Sequence, residues 1–475
     1  MFDVAIIGAG VTGGMLAREL TKYKLKVCIL EKENDVSCGA SKANSGIVHG
    51  GFDPEPNTLK AKLNVAGVPL IYEAAEELHV PIKNNGSLVV AFSKEEEPHL
   101  EELYNRGITN GITAMKLISG DEARELEPYL SKEVTKALLV TNAGIVCPYE
   151  LTIAAVGNAM DNGATLIRNF EVSEIEKNNN FTVTSKGGEK VDARYVVNCA
   201  GAYAAEIAKM IDDAFFDIIP RAGEYMLLDK AEGYKAKHTI FQVPTKNGKG
   251  ILVSPTVDNN LLTGPTAAAV GEADFTDTTR EGLETVERLA AKSVPSVNFR
   301  QVITSFSGVR ASTSGGDFII EPSKKVAGFV HAAAIDSPGL TSCVAIAKEI
   351  IEKLKEIGLE LIENPDFNGT RPDPHFFKKM TDEEKAEYIK ENSAYGKIVC
   401  RCETVTEGEI VDAIRRNPKP FDVDGVKRRT RSGMGRCQGG FCLPYVMKLL
   451  AKENDTDMNH ITKKGNDSTY TESTL

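Results

Sequence analysis

Residues 3–32 read DVAIIGAGVTGGMLARELTKYKLKVCILEK, and no other stretch limits the fold as tightly. Val4, Ala5, Ile6 and Ile7 form an unbroken apolar run, the pattern of a parallel strand covered on both faces. Gly8, Gly10 and Gly13 follow as G-x-G-x-x-G. The first permits a tight turn, the second lets the backbone approach a pyrophosphate, and the third lets the next helix pack on the strand. That helix turns free N–H groups and the positive end of its dipole towards phosphate. A second apolar strand ends in Glu31, placed to accept a hydrogen bond from a ribose hydroxyl. Because strand, glycines, helix and acid occur in this order, the spacing predicts a Rossmann-like α/β domain. Its dinucleotide is expected on Gly8, Gly10, Thr12, Gly13, Glu31 and Lys32.

The chain has 475 residues, enough for two or three domains with their own cores. A net charge of −11 argues against nucleic acid as a partner. No apolar run approaches the ~20 residues of a membrane span. The first strand begins at once, without a signal peptide, so the expected compartment is the cytoplasm. Nine cysteines, an odd number, do not read as a disulfide framework in a reducing compartment. Cys28, Cys38, Cys147, Cys199 and Cys343 lie in apolar or small-residue surroundings and read as buried, inert thiols. Cys400, Cys402, Cys437 and Cys442 are clustered and need another account.

Three later segments favour flavin over nicotinamide as the dinucleotide. SKANSGIVHGG, residues 41–51, is a small, polar, glycine-rich loop suited to a pyrophosphate and a flavin ring; Ser41, Asn44, Ser45, Gly46, Ile47 and His49 are the expected contacts. ARYVVNCAGAYA, residues 193–204, is a buried strand ending in a small-residue turn at Ala200 and Gly201. FVHAAAIDSPGLTSCVAIAKEIIEKL, residues 329–354, reads as strand, loop and amphipathic helix. Gly339, Leu340 and Thr341 at that helix start would stabilise negative charge on the N1/O2 edge of a reduced flavin. Val172 and Gly308 complete the expected cofactor contacts. No cysteine or histidine stands out as a covalent link, so the FAD is expected to be dissociable.

These segments resemble the D-amino-acid-oxidase-like superfamily of FAD oxidoreductases. VVNCAG and GFVHAAAIDSPGLTS are similar to its second and last FAD motifs, and NSGIVHGGFDPEPNTLKAKL, residues 44–63, is similar to L-2-hydroxyglutarate dehydrogenases. KIVCRCETVTEGEIVDAIRR, followed by KRRTRSGMGRCQGGFCLP, resembles the C-terminal region of anaerobic glycerol-3-phosphate dehydrogenase A subunits, a bacterioferritin-associated-ferredoxin-like [2Fe-2S] domain. One departure stands out. That family's pattern follows the His-Gly-Gly turn with an Arg-Tyr pair whose cation helps to hold phosphate, whereas here Phe52, Asp53 and Pro54 follow His49-Gly50-Gly51.

The flavin motifs lie near residues 8, 200 and 340, so the FAD domain is expected to be discontinuous: 1–67, 150–214 and 302–360. Residues 68–149 and 215–301 are left for an antiparallel-sheet α+β substrate domain. FQVPTKNGKGILVSPTVDNNLLTGPTA, residues 241–267, alternates with turn pairs as such strands do. Residues 361–396 read as a linker containing a short helix with a Thr381/Glu384 capping box and a stop at Gly396. Residues 397–452 form a small helical iron–sulfur domain, and 453–475 a frayed polar tail.

A flavin dehydrogenase needs a base for the substrate hydroxyl, a cation for an anionic substrate and a dry face for hydride transfer. His49 is the candidate base; its other role is a hydrogen bond without proton transfer. Arg310, in SFSGVRASTSGGDF, is the candidate cation, because the family's equivalent loop carries a substrate-facing Arg; its other role is an ion pair within the domain. Lys60, Arg221 and Tyr225 are weaker substrate contacts. His331 reads as a core residue, and His79, His99, His238, His375 and His460 as surface, linker or tail residues.

C-x-C followed by C-x4-C leaves three readings: a structural zinc, a redox disulfide, or a [2Fe-2S] cluster. The ferredoxin-like resemblance favours the cluster, with glycines of GMGRCQGGFC opening backbone N–H groups to its sulfurs and Arg428, Arg429, Arg431 and Arg436 offsetting its charge. The appendage is then an electron exit to an electron-accepting protein subunit, itself a flavin or iron–sulfur protein, at the membrane only through that partner. The resemblances imply oxidation of a secondary alcohol on a small anion. sn-Glycerol 3-phosphate comes first, a 2-hydroxy acid such as L-2-hydroxyglutarate second, and an amine or imino acid third. A non-catalytic electron carrier with a vestigial flavin fold is the alternative of another class.

Overall fold

A computed structural model describes residues 1–244, 250–466 and 468–470. The strand Phe2–Ile7 lies at the centre of a parallel sheet, between Val27–Leu30 on one side and Lys190–Asn198 on the other. Thr165–Ile167 and Phe329–Ala333 extend the sheet in the same sense. Its two faces explain the unbroken apolar run. Val4 and Ile6 pack into one core with Val27 and Ile29. Ala5 and Ile7 pack into a second core with Cys28 and Leu30. A side chain fully removed from water in this way contributes about 1.5–3 kcal/mol before entropy is counted. The first core is roofed by the helices Val11–Leu20, Leu59–Glu77, Pro148–Asp161 and Gly339–Glu356. An antiparallel hairpin, Val172–Lys177 with Phe181–Ser185, helps to cover the second.

Register sets the site. Ile7 lies opposite Leu30 and Asn198, so three strands finish at one level, and Asn198 lies opposite His331 in a fourth that runs two residues further. Cofactors of open α/β sheets bind outside the carboxyl ends of such strands. All three glycine-rich segments meet there.

A second sheet of nine strands is mostly antiparallel. The long strands Ile219–Leu228 and Val302–Ser312 pair along almost their whole length, with Gly223 opposite Gly308 and Arg221 opposite Arg310. Thr239–Gln242, Leu252–Pro255 and Leu261–Gly264 form the strands expected in the turn-rich segment; residues 245–249, a predicted turn, lie outside the described residues.

Four expected boundaries move. The helix Leu59–Glu77 runs through residue 67, and its second half (Ile71, Ala74, Ala75) stays in the first core, because its apolar face packs on the helix Gly339–Glu356. Val302–Ser312 belongs to the second sheet, where it pairs antiparallel with Ile219–Leu228. The expected linker is packed: Phe376, Phe377, Tyr388 and Tyr395 form an aromatic cluster. Its helix Asp382–Glu391 has the predicted capping box and stops at Asn392, before Gly396. The polar tail docks through Ile461, which is 2% exposed in the C-terminal core; residues 467 and 471–475 lie outside the described residues.

The last domain pairs Ile398–Cys400 with Val405–Thr406 and adds the helices Glu407–Arg415, Val423–Thr430 and Leu443–Glu453. Cys400 and Cys442 are part of its core. Among the described residues no helix is long and apolar enough to cross a membrane.

Candidate functional site

The glycines of the first turn are required by contact. Gly8 has φ +107°, and a Cβ there would stand 2.5 Å from the Cys199 carbonyl oxygen. A Cβ on Gly13 would stand 2.0 Å from the Gly8 carbonyl oxygen. The helix Val11–Leu20 has no side-chain cap at Gly10. Its Val11 N–H donates to Ser41 Oγ (2.9 Å), which ties the loop 41–51 to the helix start. The Thr12 and Gly13 amides have no intrahelical carbonyl and could hold a phosphate. Glu31 Oε2 accepts from Ala9 N–H (2.7 Å) and Oε1 from Glu33 N–H (3.0 Å). Burial pushes its carboxyl up to about 7, against the effect of those two bonds. Lys32 lies 4.0 Å from the Tyr203 ring centre, beside Ala200 and Gly201. A Cβ on Gly201 would meet nothing within 4 Å, so space is open there. Val172 starts a strand two residues beyond Phe170, whose N–H bonds the Glu31 carbonyl.

The loop 41–51, the candidate flavin loop, is held from three sides. Asn44 Oδ1 accepts from Gly46 N–H (2.8 Å), and Ser45 Oγ shares a hydrogen bond with the Tyr225 hydroxyl (3.2 Å). Ile47 pairs with Ile145. Gly308 presses on the loop so closely that a Cβ would lie 1.9 Å from the Ala43 carbonyl oxygen. His49 N–H donates to Thr341 Oγ1 (2.8 Å), its carbonyl accepts from Asn64 Nδ2 (3.1 Å), and Nε2 lies 3.2 Å from Ser337 Oγ. Helix geometry leaves the amides of Leu340 and Thr341 without carbonyl partners within the helix that starts at Gly339. Open space, a capless helix start, a buried acid and close-approach glycines fit a flavin dinucleotide.

Around the ring the candidates divide. Arg310 reaches over Gly223, where a Cβ would stand 2.8 Å from Nη2, and donates long bonds to the Thr266 carbonyl (3.4 and 3.5 Å). Among the described residues no carboxylate pairs with it. Tyr225 stacks on Phe306 (4.8 Å between ring centres) on the same strand pair. Lys60 is committed: its Nζ lies 2.6 Å from Asp336, which also accepts from Ser312 Oγ. Arg221 is exposed. His331 is wholly buried between Asp213 and Asn198, as a core histidine should be. His238 and His375 are partly buried and held by carboxylates: they pair with Glu127 (2.7 Å) and Glu150 (2.8 Å). In the turn after Gly51, Arg106 Nη1 donates to the Asp53 carbonyl and Nη2 pairs with Glu55, so the nearby cation is already engaged.

The four clustered thiols stand as two pairs. Cys402 and Cys437 approach to 3.6 Å between sulfurs, and Cys400 shares a hydrogen bond with Cys442. In each pair one thiol ionises readily. The bond with Cys442 and the amides of Gly433 and Glu403 bring Cys400 down to about 5. Burial opposes ionisation of Cys437, but Cys402 and the amides of Gly439, Phe441 and Gly440 hold it below the ordinary value. Among the described residues no three His, Cys, Asp or Glu side chains converge on a point for a single metal ion. Two cysteine pairs, each with one readily ionised thiol among amide donors, suit a binuclear cluster, in which each iron takes two cysteine sulfurs. The scattered thiols are inert as expected: Cys28, Cys147, Cys199 and Cys343 are buried, and burial raises all four. Cys38 is only partly covered, and burial raises it as well.

The basic residues near the cluster do something else. Arg428 and Arg429 both bind Asp35, which is fully buried in the flavin domain (2.6 and 2.8 Å). Arg431 binds Glu403 and Asp258, and Arg436 binds Asp229. Arg428, Arg429 and Arg431 are committed to carboxylates that dock the domain, while the exposed Arg436 also feels the charge of Cys402. Sequence reasoning missed Asp35, Tyr149, Asp258 and Glu403, whose single acids and phenol carry no motif.

Residues 3–353 match the family of FAD dependent oxidoreductases, and residues 398–452 match the BFD-like [2Fe-2S] binding domain. A glycerol 3-phosphate dehydrogenase from Caloramator mitchellensis is 46% identical over 98% of this chain and 96% of its own. The solved structure of dithionite-reduced L-alpha-glycerophosphate oxidase from Mycoplasma pneumoniae with FAD bound superposes with TM-score 0.75 at 31% identity, covering 78% of this chain and 98% of that one. Mitochondrial L-2-hydroxyglutarate dehydrogenase from Bos taurus is 33% identical over 56% of this chain and 61% of its own. The chain therefore belongs to the FAD dependent oxidoreductases, with a BFD-like [2Fe-2S] binding domain at its C-terminal end.

Proposed function

We propose that the protein oxidises the secondary alcohol of sn-glycerol 3-phosphate to dihydroxyacetone phosphate. Arg310 carries this reading: a guanidinium beside the flavin loop that, among the described residues, holds only a carbonyl oxygen, at 3.4 and 3.5 Å. Its planar fork matches phosphate in a bidentate manner. The Caloramator relative, similar over nearly the full length of both chains, supports the same substrate.

Bound FAD supplies the acceptor for the hydride. Residues of the chain do the rest. Arg310 orients the anion. His49 takes the hydroxyl proton, its ring held at Nε2 by Ser337 and its backbone by Thr341. The free amides of Leu340 and Thr341 face the charge that accumulates. Tyr225 stacked on Phe306 closes part of the site to water.

A [2Fe-2S] cluster held by Cys400, Cys402, Cys437 and Cys442 would supply a one-electron outlet from the flavin to a separate flavin or iron–sulfur protein, the enzyme itself working in the cytoplasm. The oxidase match supports this exit, because it spans 98% of that chain yet leaves about a fifth of this one uncovered. A second reading, L-2-hydroxyglutarate, is favoured by NSGIVHGGF and by the bovine relative. Anaerobic titration of oxidised protein distinguishes the two. Bleaching of the flavin band by glycerol 3-phosphate supports the first; bleaching only by L-2-hydroxyglutarate overturns it.

A further inference from the structure

Arg431 stands where all three parts of the molecule meet. It ends the helix Val423–Thr430 in the left-handed conformation, φ +65°, where glycine or asparagine is usual. Its side chain is buried and all of its nitrogens are engaged. Nε donates to Glu403 Oε2 (2.8 Å), Nη1 to Asp258 Oδ2 (2.6 Å) and the Tyr149 hydroxyl (3.3 Å), and Nη2 to Asn260 Oδ1 (3.1 Å). These partners come from different places. Glu403 follows Cys402 directly. Asp258 and Asn260 lie in the turn between the strands Leu252–Pro255 and Leu261–Gly264 of the second sheet. Tyr149 lies in the first turn of the helix Pro148–Asp161, behind the flavin loop.

That last connection is short. The Gly46 carbonyl, in the flavin loop, accepts from Val146 N–H (2.7 Å), and Tyr149 is three residues further on. The Tyr149 hydroxyl also donates to the sulfur of Met434 (3.5 Å), three residues before Cys437. One guanidinium and one phenol thus join the flavin loop to the segments that carry Cys402 and Cys437.

We propose that Arg431 is a positioning residue for electron passage, holding the cluster domain at a set separation from the flavin loop. This rests on the reading of the cluster as the electron exit. The balance is simple. The substrate C–H leaves as a hydride, two electrons, to the flavin, and the hydroxyl proton goes to the base. The cluster takes one electron at a time and passes it to an external one-electron acceptor, two acceptors per substrate. Passage between the two centres depends steeply on their separation, while loading of each does not. Asp35, held by Arg428 and Arg429, is a second attachment. It keeps the domain bound when Arg431 is replaced, so the variant loses placement rather than assembly.

The test uses the full chain with both cofactors, mixed anaerobically with glycerol 3-phosphate in a stopped-flow instrument. Flavin bleaching reports the first step; the electron paramagnetic resonance signal of the reduced cluster, after rapid freezing, reports the second. In Arg431→Lys, FAD content, iron content and the rate of flavin bleaching stay at wild-type values. Cluster reduction slows by roughly tenfold or more, since an ångström of misplacement costs a geometry-dependent step heavily. Asp258→Asn removes only the far partner and leaves Arg431 on Glu403; it should slow cluster reduction in the same way, and it decides the matter if Arg431→Lys does not fold. Cluster reduction at the wild-type rate, in a variant carrying both cofactors, overturns the proposal. A wild-type cluster that stays oxidised while the flavin bleaches overturns instead the reading of the cluster as electron exit.

Discussion

Replacing Gly308 by alanine should weaken FAD binding although the substitution adds one methyl group. The Cβ would lie 1.9 Å from the Ala43 carbonyl oxygen and 2.9 Å from the Ala43 carbonyl carbon and Cβ. Real Cβ atoms essentially never come within 3.0 Å of such neighbours, so the loop must retreat by about 1 Å. The obstacle is backbone, with no flexible side-chain end to give way. The same loop carries Ser41, bonded to Val11 N–H at the phosphate end of the first helix, and Ser45, bonded to Tyr225. Overpacking of this kind costs about 1–3 kcal/mol. At about 1.4 kcal/mol per tenfold, FAD affinity should fall roughly five- to 150-fold. Apoprotein titrated with FAD, with flavin fluorescence as the signal, gives the dissociation constant. Gly315→Ala is the control, because the nearest atom to its Cβ would be Thr313 Oγ1 at 4.0 Å. Affinity for FAD in Gly308→Ala within about twofold of wild type would refute the close-packing argument.

Other substitutions separate the roles argued above. His49→Gln should slow flavin bleaching by glycerol 3-phosphate about 10²–10⁴-fold with little change in FAD affinity, as loss of a general base does; unchanged bleaching leaves His49 only its hydrogen bonds. Cys437→Ser should remove the cluster, read by iron content and paramagnetic resonance, while substrate still bleaches the flavin; loss of bleaching as well would mean the two sites are not separable. His375 has its pKa raised: burial opposes this, but the bond and charge of Glu150 prevail. The pair therefore stabilises the fold fully below the ordinary histidine value of 6.5 and loses that contribution as pH rises through the raised one. Chemical unfolding of wild type and His375→Asn should show a stability gap that narrows on going alkaline; a gap that widens would refute the assignment. Acid precipitation should release FAD intact into the supernatant, since no side chain was identified as a covalent link.

The amino-acid order alone determined the parts whose chemistry is local. G-x-G-x-x-G with its strand, helix and Glu31 is confined to residues 3–32, and each member is constrained by a neighbour a few bonds away. The capping box at Thr381 is local in the same way, as is each cysteine motif, C-x-C or C-x4-C, taken by itself. What needed the tertiary structure was every choice among distant partners. Lys60 and Arg310 look alike as isolated cations, yet Asp336, 276 residues from Lys60 in the chain, engages the first, while the second is left with a carbonyl. The arginines at 428, 429 and 431 read as counter-charges to a cluster because the acids that claim them, Asp35 and Asp258, carry no signature in their own segments. Likewise, whether residues 302–312 join the first sheet or the second depends on a register with residues 219–228 that no pattern within either segment encodes. Ion pairs and strand pairings are decided by proximity in space, and proximity between remote segments exists only once the chain has folded.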